Sequence, residues 1–393
     1  MLEKRVSIDH LKYNMYVSRL DRPWVETPFF FQGFYLKKQD EIEIIRQHCE
    51  YVYIDVERGA AADQYLEVLP VNVLFNTEDK FEKELPIAKG KYIKLATEFA
   101  RVMENIKLGK ALEINVIQSQ VDSIIEGIST NSDAYLLLSR LKNKDNYTYN
   151  HSVSCSILAI ALGKELGLSK QELEELAMGT LLFDIGKMKL PSEILSSNEK
   201  FPQEKHKKVE CHVEESVRLL KETPGVKSSA IQIAQNHHER FDGSGYPKGL
   251  KGKEISLFSS IAGLVDCYDA MTSERPFSNS MKHEAAVNEL YTRRNKDFNE
   301  ELLEHFIQCL GTYPTGTLVE LNTGEVGVVV QQNRVRRLRP KIMLLLNSNK
   351  ESNDYFPIIN LINELEDKLG NPISIKKSLE PNAYGIDPEK YYL

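Results

Sequence analysis

Cysteine is scarce: five residues in 393 (Cys49, Cys155, Cys211, Cys267 and Cys309), with no CxxC pair among them. That excludes a disulfide framework or a zinc ribbon and fits a reducing compartment. A basic excess is also missing. Lys and Arg number 50 against 57 Asp and Glu, a formal net charge of −7 with a pI near 5.8. The chain therefore lacks the cationic coat with which general DNA- and RNA-binding proteins neutralise phosphates, although local cations or a metal could still hold one small anion. No apolar run approaches the roughly 20 residues of a spanning helix. The opening MLEKRVSIDHLKYNMYVSRLD has no apolar segment of the signal-peptide kind. The expectation is a cytoplasmic protein with no membrane span and no DNA or RNA partner.

What is present is a globular balance, 41% hydrophobic and 27% charged residues, which rules out wholesale disorder. At 45.0 kDa the chain has room for two or three domains. From Val6 to about Asp55, Met15-Tyr16-Val17 and Phe29-Phe30-Phe31 read as short strands, Glu41 to Cys49 as a helix, and Tyr51 to Val56 as a strand. Residues 57–91 keep no period and read as a linker with some local order. From about Gly90 to Gly311 the pattern is helical. Ile114, Ile117, Val121, Ile124, Ile125 and Ile128 form one stripe, and Ser169-Lys170-Gln171-Glu172 is a capping box. Further helices are expected over Glu204–Glu222, Val226–His238, Ser256–Ser273 and His283–Thr292. Beyond Pro314 come strand-like runs, with a basic cluster at Arg334, Arg336, Arg337 and Arg339 that reads as a solvated edge. The predicted architecture is multidomain and mainly α-helical, with a small N-terminal α/β module and linker (1–90), a helical domain (91–313) and a small C-terminal β tail (314–393).

The chemistry-bearing residues lie in the helical part. His151 stands before a helix, Phe183-Asp184-Ile185-Gly186-Lys187 closes the next, and His212 lies within another. His237-His238 end a fourth, and Asp266 shares a face with Asp269 and Ala270. Imidazoles and carboxylates spread over several helices suit a transition metal in a bundle core. Gly243-Ser244-Gly245-Tyr246-Pro247-Lys248 lacks the third glycine of a dinucleotide fingerprint, Gly186-Lys187 lacks P-loop spacing, and neither HExxH nor G-x-S-x-G occurs.

In order, Asp184-Ile-Gly-Lys187, then His237-His238-Glu239-Arg-Phe-Asp242-Gly243-Ser-Gly245-Tyr246-Pro247, then Val265-Asp266-Cys-Tyr-Asp269-Ala-Met-Thr-Ser-Glu-Arg275-Pro-Phe277 resembles the HD-GYP branch of the HD metal-dependent phosphohydrolases. The likeness runs from about His151 to Phe306, and Val6 to Glu57 resembles a domain of unknown function often found before HD-GYP modules. The resemblance implies an HD-type catalytic core that hydrolyses cyclic di-GMP to pGpG or GMP. It implies metal ligation by His151, Asp184 and Asp266 at one site, and by Asp184, His212, His237 and His238 at a second. It further implies catalytic roles for Asp184 and Lys187, and substrate contacts from Lys187, Gly243, Gly245, Tyr246, Pro247, Asp269 and Arg275. The cofactor would be a divalent transition metal such as Fe or Mn, one or two ions. A homodimer, and a protein partner docking on the Gly-Tyr-Pro loop, stay open.

Two departures bear on this. Phe183 stands where the family has the histidine of its HD pair, and Tyr147 where some members carry a glutamate for a third ion. A benzyl group donates no lone pair, so the first site loses a ligand. Three readings follow: an active phosphodiesterase with an altered metal site, an impaired effector that binds cyclic di-GMP or a partner protein without hydrolysis, and a phosphohydrolase for another nucleotide, which the loop disfavours.

Overall fold

The computed structural model describes residues 3–22, 34–59, 80–140, 147–191, 203–273, 281–333, 336–353, 356–363, 366, 370, 372–380 and 383–386. The chain forms two compact units, Met1–Glu78 and Asp79–Leu393.

In the first unit, strands β1 (Glu3–Ser7), β2 (Met15–Leu20), β3 (Phe34–Tyr35) and β4 (Tyr51–Gly59) make an antiparallel sheet in the order β1-β4-β2-β3. Alternation along β4, and along β2 with its phase shifted by the irregularity between Val17 and Arg19, sends Val17, Leu20, Val52 and Ile54 to one face. There they bury against Ile42 and Ile45 of helix α1 (Gln39–His48). The strand expected at Phe29–Phe31 and residues 60–79 of the expected linker lie outside the described residues.

The second unit opens with α2 (Lys80–Lys107), so residues 80–91 are helix and not linker. Ala88, Tyr92, Leu95, Phe99, Val102, Met103 and Ile106 recur every three or four residues and are all buried. That continuous stripe outweighs the backbone hydrogen bond forgone at Pro86. Next come α3 (Ile114–Thr130), α4 (Ser132–Arg140), α5 (Tyr147–Glu165) and α6 (Lys170–Leu182). At the start of α6, Ser169 Oγ accepts from the Glu172 amide at 3.3 Å while the Glu172 carboxylate accepts from the Ser169 amide at 2.8 Å. A 3-10 segment (Ile185–Lys189) precedes α7 (Gln203–Glu222), α8 (Ser228–Asn236), α9 (Leu257–Thr272), α10 (His283–Thr292) and α11 (Glu300–Leu310). His151 lies inside α5 and not before it. The helix begins a turn early because Tyr149 packs on the core and its hydroxyl donates to Glu104 of α2.

Strands β5 (Leu318–Leu321), β6 (Val326–Gln331), β7 (Lys341–Leu346), β8 (Ile358–Asn360) and β9 (Ile375–Ser378) form a second antiparallel sheet, ordered β8-β7-β6-β5-β9. Leu318, Val326, Val328, Val330, Leu345 and Leu346 join the same core as the helices. The basic cluster is not one solvated edge. Arg339 Nη1 donates to the Leu361 and Ile373 carbonyls at 3.3 and 2.8 Å, stitching the sheet, while Arg334 lies outside the described residues. Among the described residues, no helix is long and apolar enough to cross a membrane.

Candidate metal centre

Five elements aim side chains at one buried point. His151 comes from α5, Asp184 from the turn after α6, His212 from α7, His237 and His238 from the end of α8, and Asp266 from α9. The approach of the 3-10 segment to α7 is very close. A Cβ at Gly186 would stand 2.2 Å from the His212 carbonyl oxygen and 2.5 Å from the Ser216 amide nitrogen, so only glycine fits. The Gly186 amide donates to Ser216 Oγ at 2.9 Å, which locks Asp184 beside His212. Gly263 of α9 is equally tight, with a Cβ 2.5 Å from the His237 carbonyl oxygen.

Asp184 is fully buried. Its Oδ1 lies 3.2 Å from His212 Nε2 and 3.8 Å from His237 Nε2, and its Oδ2 lies 3.7 Å from His151 Nε2 and takes the Lys187 ammonium. His238 Nε2 is 3.2 Å from His212 Nε2. His151 Nε2 is 3.0 Å from Asp266 Oδ1, and His238 Nδ1 is 4.0 Å from Asp266 Oδ2.

The tautomers follow from the partners. His212 Nδ1 is 2.5 Å from the Val209 carbonyl and His237 Nδ1 is 3.0 Å from that of Ala234. A carbonyl only accepts, so both Nδ1 atoms carry protons and both Nε2 atoms present lone pairs to the centre. Burial pushes the His237 imidazole down to about 4, and burial with the neighbouring His237 holds His238 well below the usual histidine range. Both are neutral near pH 7. Burial opposes ionisation of Asp184, but the Lys187 ammonium beside it outweighs that and holds its carboxyl well below the usual carboxylate range. Asp266 behaves alike through its hydrogen bond to His151.

A cation fits this arrangement. Among the described residues, Asp184 Oδ1 and His237 Nε2 are buried without a hydrogen-bond partner, and both are lone-pair atoms aimed at the same space. Burying two such atoms unsatisfied is costly unless something positive bridges them. One group, Asp184, His212, His237 and His238, brings its ligand atoms within 4.8 Å of one another, and so does a second, His151, Asp184 and Asp266. These donors suit a borderline transition metal.

Phe183 caps α6 with its ring fully buried, its centroid 4.7 Å from that of His237 and 6.0 Å from that of His151. It fills the space between the two groups with hydrocarbon. Tyr147 heads α5, but its side chain lies outside the described residues, as does the whole of Arg275.

Two placements differ from expectation. Asp269 does not face the open side: it is buried, its Oδ2 stands 2.6 Å from His151 Nδ1, and it accepts from Ser273 Oγ at 3.3 Å. Three residues after Asp266 on the same helix, it grips the opposite nitrogen of the ring and orients it. Glu239, given no role by the sequence, is buried and accepts from the Lys248 and Leu250 amides at 2.7 and 3.0 Å. An acid directly ahead of a glycine-rich loop, whose amides need acceptors, was the available signal.

The Gly-Tyr-Pro loop closes one wall. A Cβ at Gly245 would stand 2.4 Å from the His238 carbonyl oxygen, and Gly243 has a φ of 84°. The Tyr246 amide donates to the His238 carbonyl at 3.2 Å, and the Tyr246 ring stacks on the His238 ring with centroids 4.6 Å apart. Lys187 stays partly open to solvent, its side chain 23% exposed.

The sequence matches an HD domain over residues 136–302, DUF3391, a domain of unknown function, over residues 3–117, and a KOW domain associated with HD domains over residues 318–384. Among curated relatives, cyclic di-GMP phosphodiesterase PA4108 of Pseudomonas aeruginosa is 30% identical over 358 residues, 88% of this chain and 86% of the relative. Cyclic di-GMP phosphodiesterase PdeB of Borreliella burgdorferi is 28% identical, covering 63% of this chain and 64% of its own. The 3'3'-cGAMP-specific phosphodiesterase 1 of Vibrio cholerae is 36% identical over 40% of this chain and 36% of its own. Among solved structures, Bd1817, a protein of Bdellovibrio bacteriovorus described as HDG"Y"P, aligns with a TM-score of 0.49 at 17% identity, over 78% of this chain and 98% of that one. With an HD domain behind a DUF3391 domain, and a relative matched along nearly its whole length, the chain belongs to the HD-GYP family of HD-domain phosphodiesterases.

Proposed function

We propose that this chain hydrolyses cyclic di-GMP to pGpG or GMP at a metal centre altered by Phe183. The observation that carries the reading is the pair of buried lone-pair atoms, Asp184 Oδ1 and His237 Nε2, which lack a hydrogen-bond partner among the described residues and stand beside the neutral His237 and His238 rings. Asp184, His212, His237 and His238 would hold one divalent ion such as Fe or Mn, with a weaker second at His151, Asp184 and Asp266. Such a metal lowers the pKa of a bound water and screens charge building at phosphorus. The protein's own groups do the rest. Lys187, against Asp184 and partly open to solvent, would offset the charge of a phosphate bound at the centre. Gly243, Gly245, Tyr246 and Pro247 would border the nucleotide. Asp269 holds the His151 ring in place from behind. The five free cysteines accord with action in the cytoplasm. The N-terminal unit, which contributes none of the grouped ligands, is proposed to regulate the helical part or to pair it with a second copy.

One observation favours a second reading, an effector that binds cyclic di-GMP or a partner protein without cleaving it: Phe183 occupies the ground between the two ligand groups. Elemental analysis of purified full-length protein, with cyclic di-GMP turnover in Mn²⁺ and Fe²⁺, separates the two. Bound metal with release of pGpG or GMP supports hydrolysis. Tight cyclic di-GMP binding with no product in any metal overturns it in favour of the effector.

A further inference from the structure

We infer that Glu239 is a positioning residue that holds His238 to the metal through the Gly-Tyr-Pro loop; this rests on the metal-centre reading above. Glu239 follows the His237-His238 pair and is only 4% exposed. Its two carboxylate oxygens are divided between two amides on the far limb of the loop, Oε1 accepting from Lys248 at 2.7 Å and Oε2 from Leu250 at 3.0 Å. Each carboxylate oxygen thus receives one backbone N–H, so both limbs of the contact are made by a single side chain. The near limb is tied back to the same short stretch. The Tyr246 amide donates to the His238 carbonyl at 3.2 Å, and Gly245 lies so close that a Cβ would stand 2.5 Å from the Glu239 Cα. Residues 238–250 therefore form a clasp whose fixed end is the Glu239 carboxylate and whose free end is the Tyr246 ring.

That ring lies on His238, centroids 4.6 Å apart with planes 27° from parallel. His237 rests against the other edge of His238 at 4.0 Å, and the His212 ring stands at right angles to it at 5.1 Å. Among the described residues, the His238 ring makes one hydrogen bond, with His212 Nε2 at 3.2 Å. Backbone carbonyls fix His212 and His237, whereas His238 Nδ1 has no such carbonyl among the described residues and stands 4.0 Å from Asp266 Oδ2. Its orientation is set by the stacked Tyr246 face, and the place of that face by Glu239.

The test reads metal affinity, not turnover, so it stands whether or not the chain hydrolyses cyclic di-GMP. Mn²⁺ is titrated calorimetrically into full-length protein and into E239Q, Y246A and the double variant. Glutamine accepts on one oxygen only and turns its NH2 against the second amide. E239Q should weaken Mn²⁺ binding roughly tenfold, the loss typical when a group supporting a metal ligand is removed. Y246A should do so to a similar extent, and the double variant should be no worse than the weaker single, because both act along one path. Unchanged Mn²⁺ affinity in E239Q with a lowered melting temperature would show that the carboxylate only stabilises the loop. Additive losses would equally overturn the path. Should E239Q fail to fold, Y246A decides from the other end: full Mn²⁺ affinity without the ring refutes the inference. Absence of Mn²⁺ binding in the parent protein would instead refute the metal-centre reading itself.

Discussion

Phe183→His is the sharpest perturbation, because its two effects have opposite signs. The phenyl ring is fully buried, and full burial of such a side chain is worth about 1.5–3 kcal/mol. An imidazole keeps part of this and adds a polar ring that lacks an assigned partner in metal-free protein. Without metal the variant should therefore lose about 1–2 kcal/mol, or a few degrees in melting temperature at this size. With metal the sign reverses. A ring centred 4.7 Å from His237 and 6.0 Å from His151 is placed beside both ligand groups without backbone movement. One added ligand should tighten binding roughly tenfold or more. At saturating metal a tenfold gain returns about 1.4 kcal/mol. Melting curves of parent and variant, in chelator and across a Mn²⁺ titration, should thus cross, and metal per chain and cyclic di-GMP turnover should both rise. Parallel curves with equal metal content and turnover would refute the reasoning, and would show that the centre is built around the phenyl ring.

Three further outcomes are expected. D269N, which leaves the His151 Nδ1 proton a weaker, neutral acceptor, should lower Mn²⁺ affinity by about 10- to 100-fold with little change in fold by circular dichroism; an unchanged titration would return Asp269 to the substrate side. In metal-free protein, stability should fall as pH drops from about 6.5 toward 4, since His237 is pushed down to about 4 and the unfolded chain takes up that proton first. The loss is on the order of 3 kcal/mol, and a melting series in which H237Q shows the same slope as the parent would remove His237 as its source. A chain beginning at Asp79, where the second compact unit starts, should keep metal content but change in regulation or oligomeric state; sedimentation and turnover identical to the full chain would end the proposed role of the N-terminal unit.

Much of the fold was legible where local signals agreed. His283–Thr292 is helical over the residues expected, and α7, directly after Pro202, starts one residue from its expected start, because amphipathic runs need no distant information. Misreadings arose where packing overrode a local signal. Residues 57–91 read as a linker, yet seven buried apolar residues carry α2 past Pro86, and the contact of Tyr149 with Glu104 extends α5 ahead of His151. In the site, the ordered acids and imidazoles disclosed which residues meet but not which atoms. Asp266 and Asp269 share a helical face, and only the crossing of α5 and α9 decides that one reaches His151 Nε2 and the other Nδ1. Glu239 was harder to read for a related reason: its place ahead of a glycine-rich loop signals an acceptor for backbone amides, but not which amides it takes.

The ligands that meet at the centre are strung along the chain from His151 to Asp266, and this spacing sets a timetable for synthesis. A ribosome must deliver Asp184, His212 and the His237-His238 pair before the four-residue group exists, and must pass Asp266 before the other can close. Until then the helices expose Nε2 and carboxylate atoms that later face one another, in a part of the core whose contacts span more than a hundred residues. Such non-local closure is slow compared with forming a single helix. A metal held by the group that includes Asp266 would therefore enter late, once the domain is nearly folded, and a nascent chain stalled before Asp266 carries only part of the candidate centre.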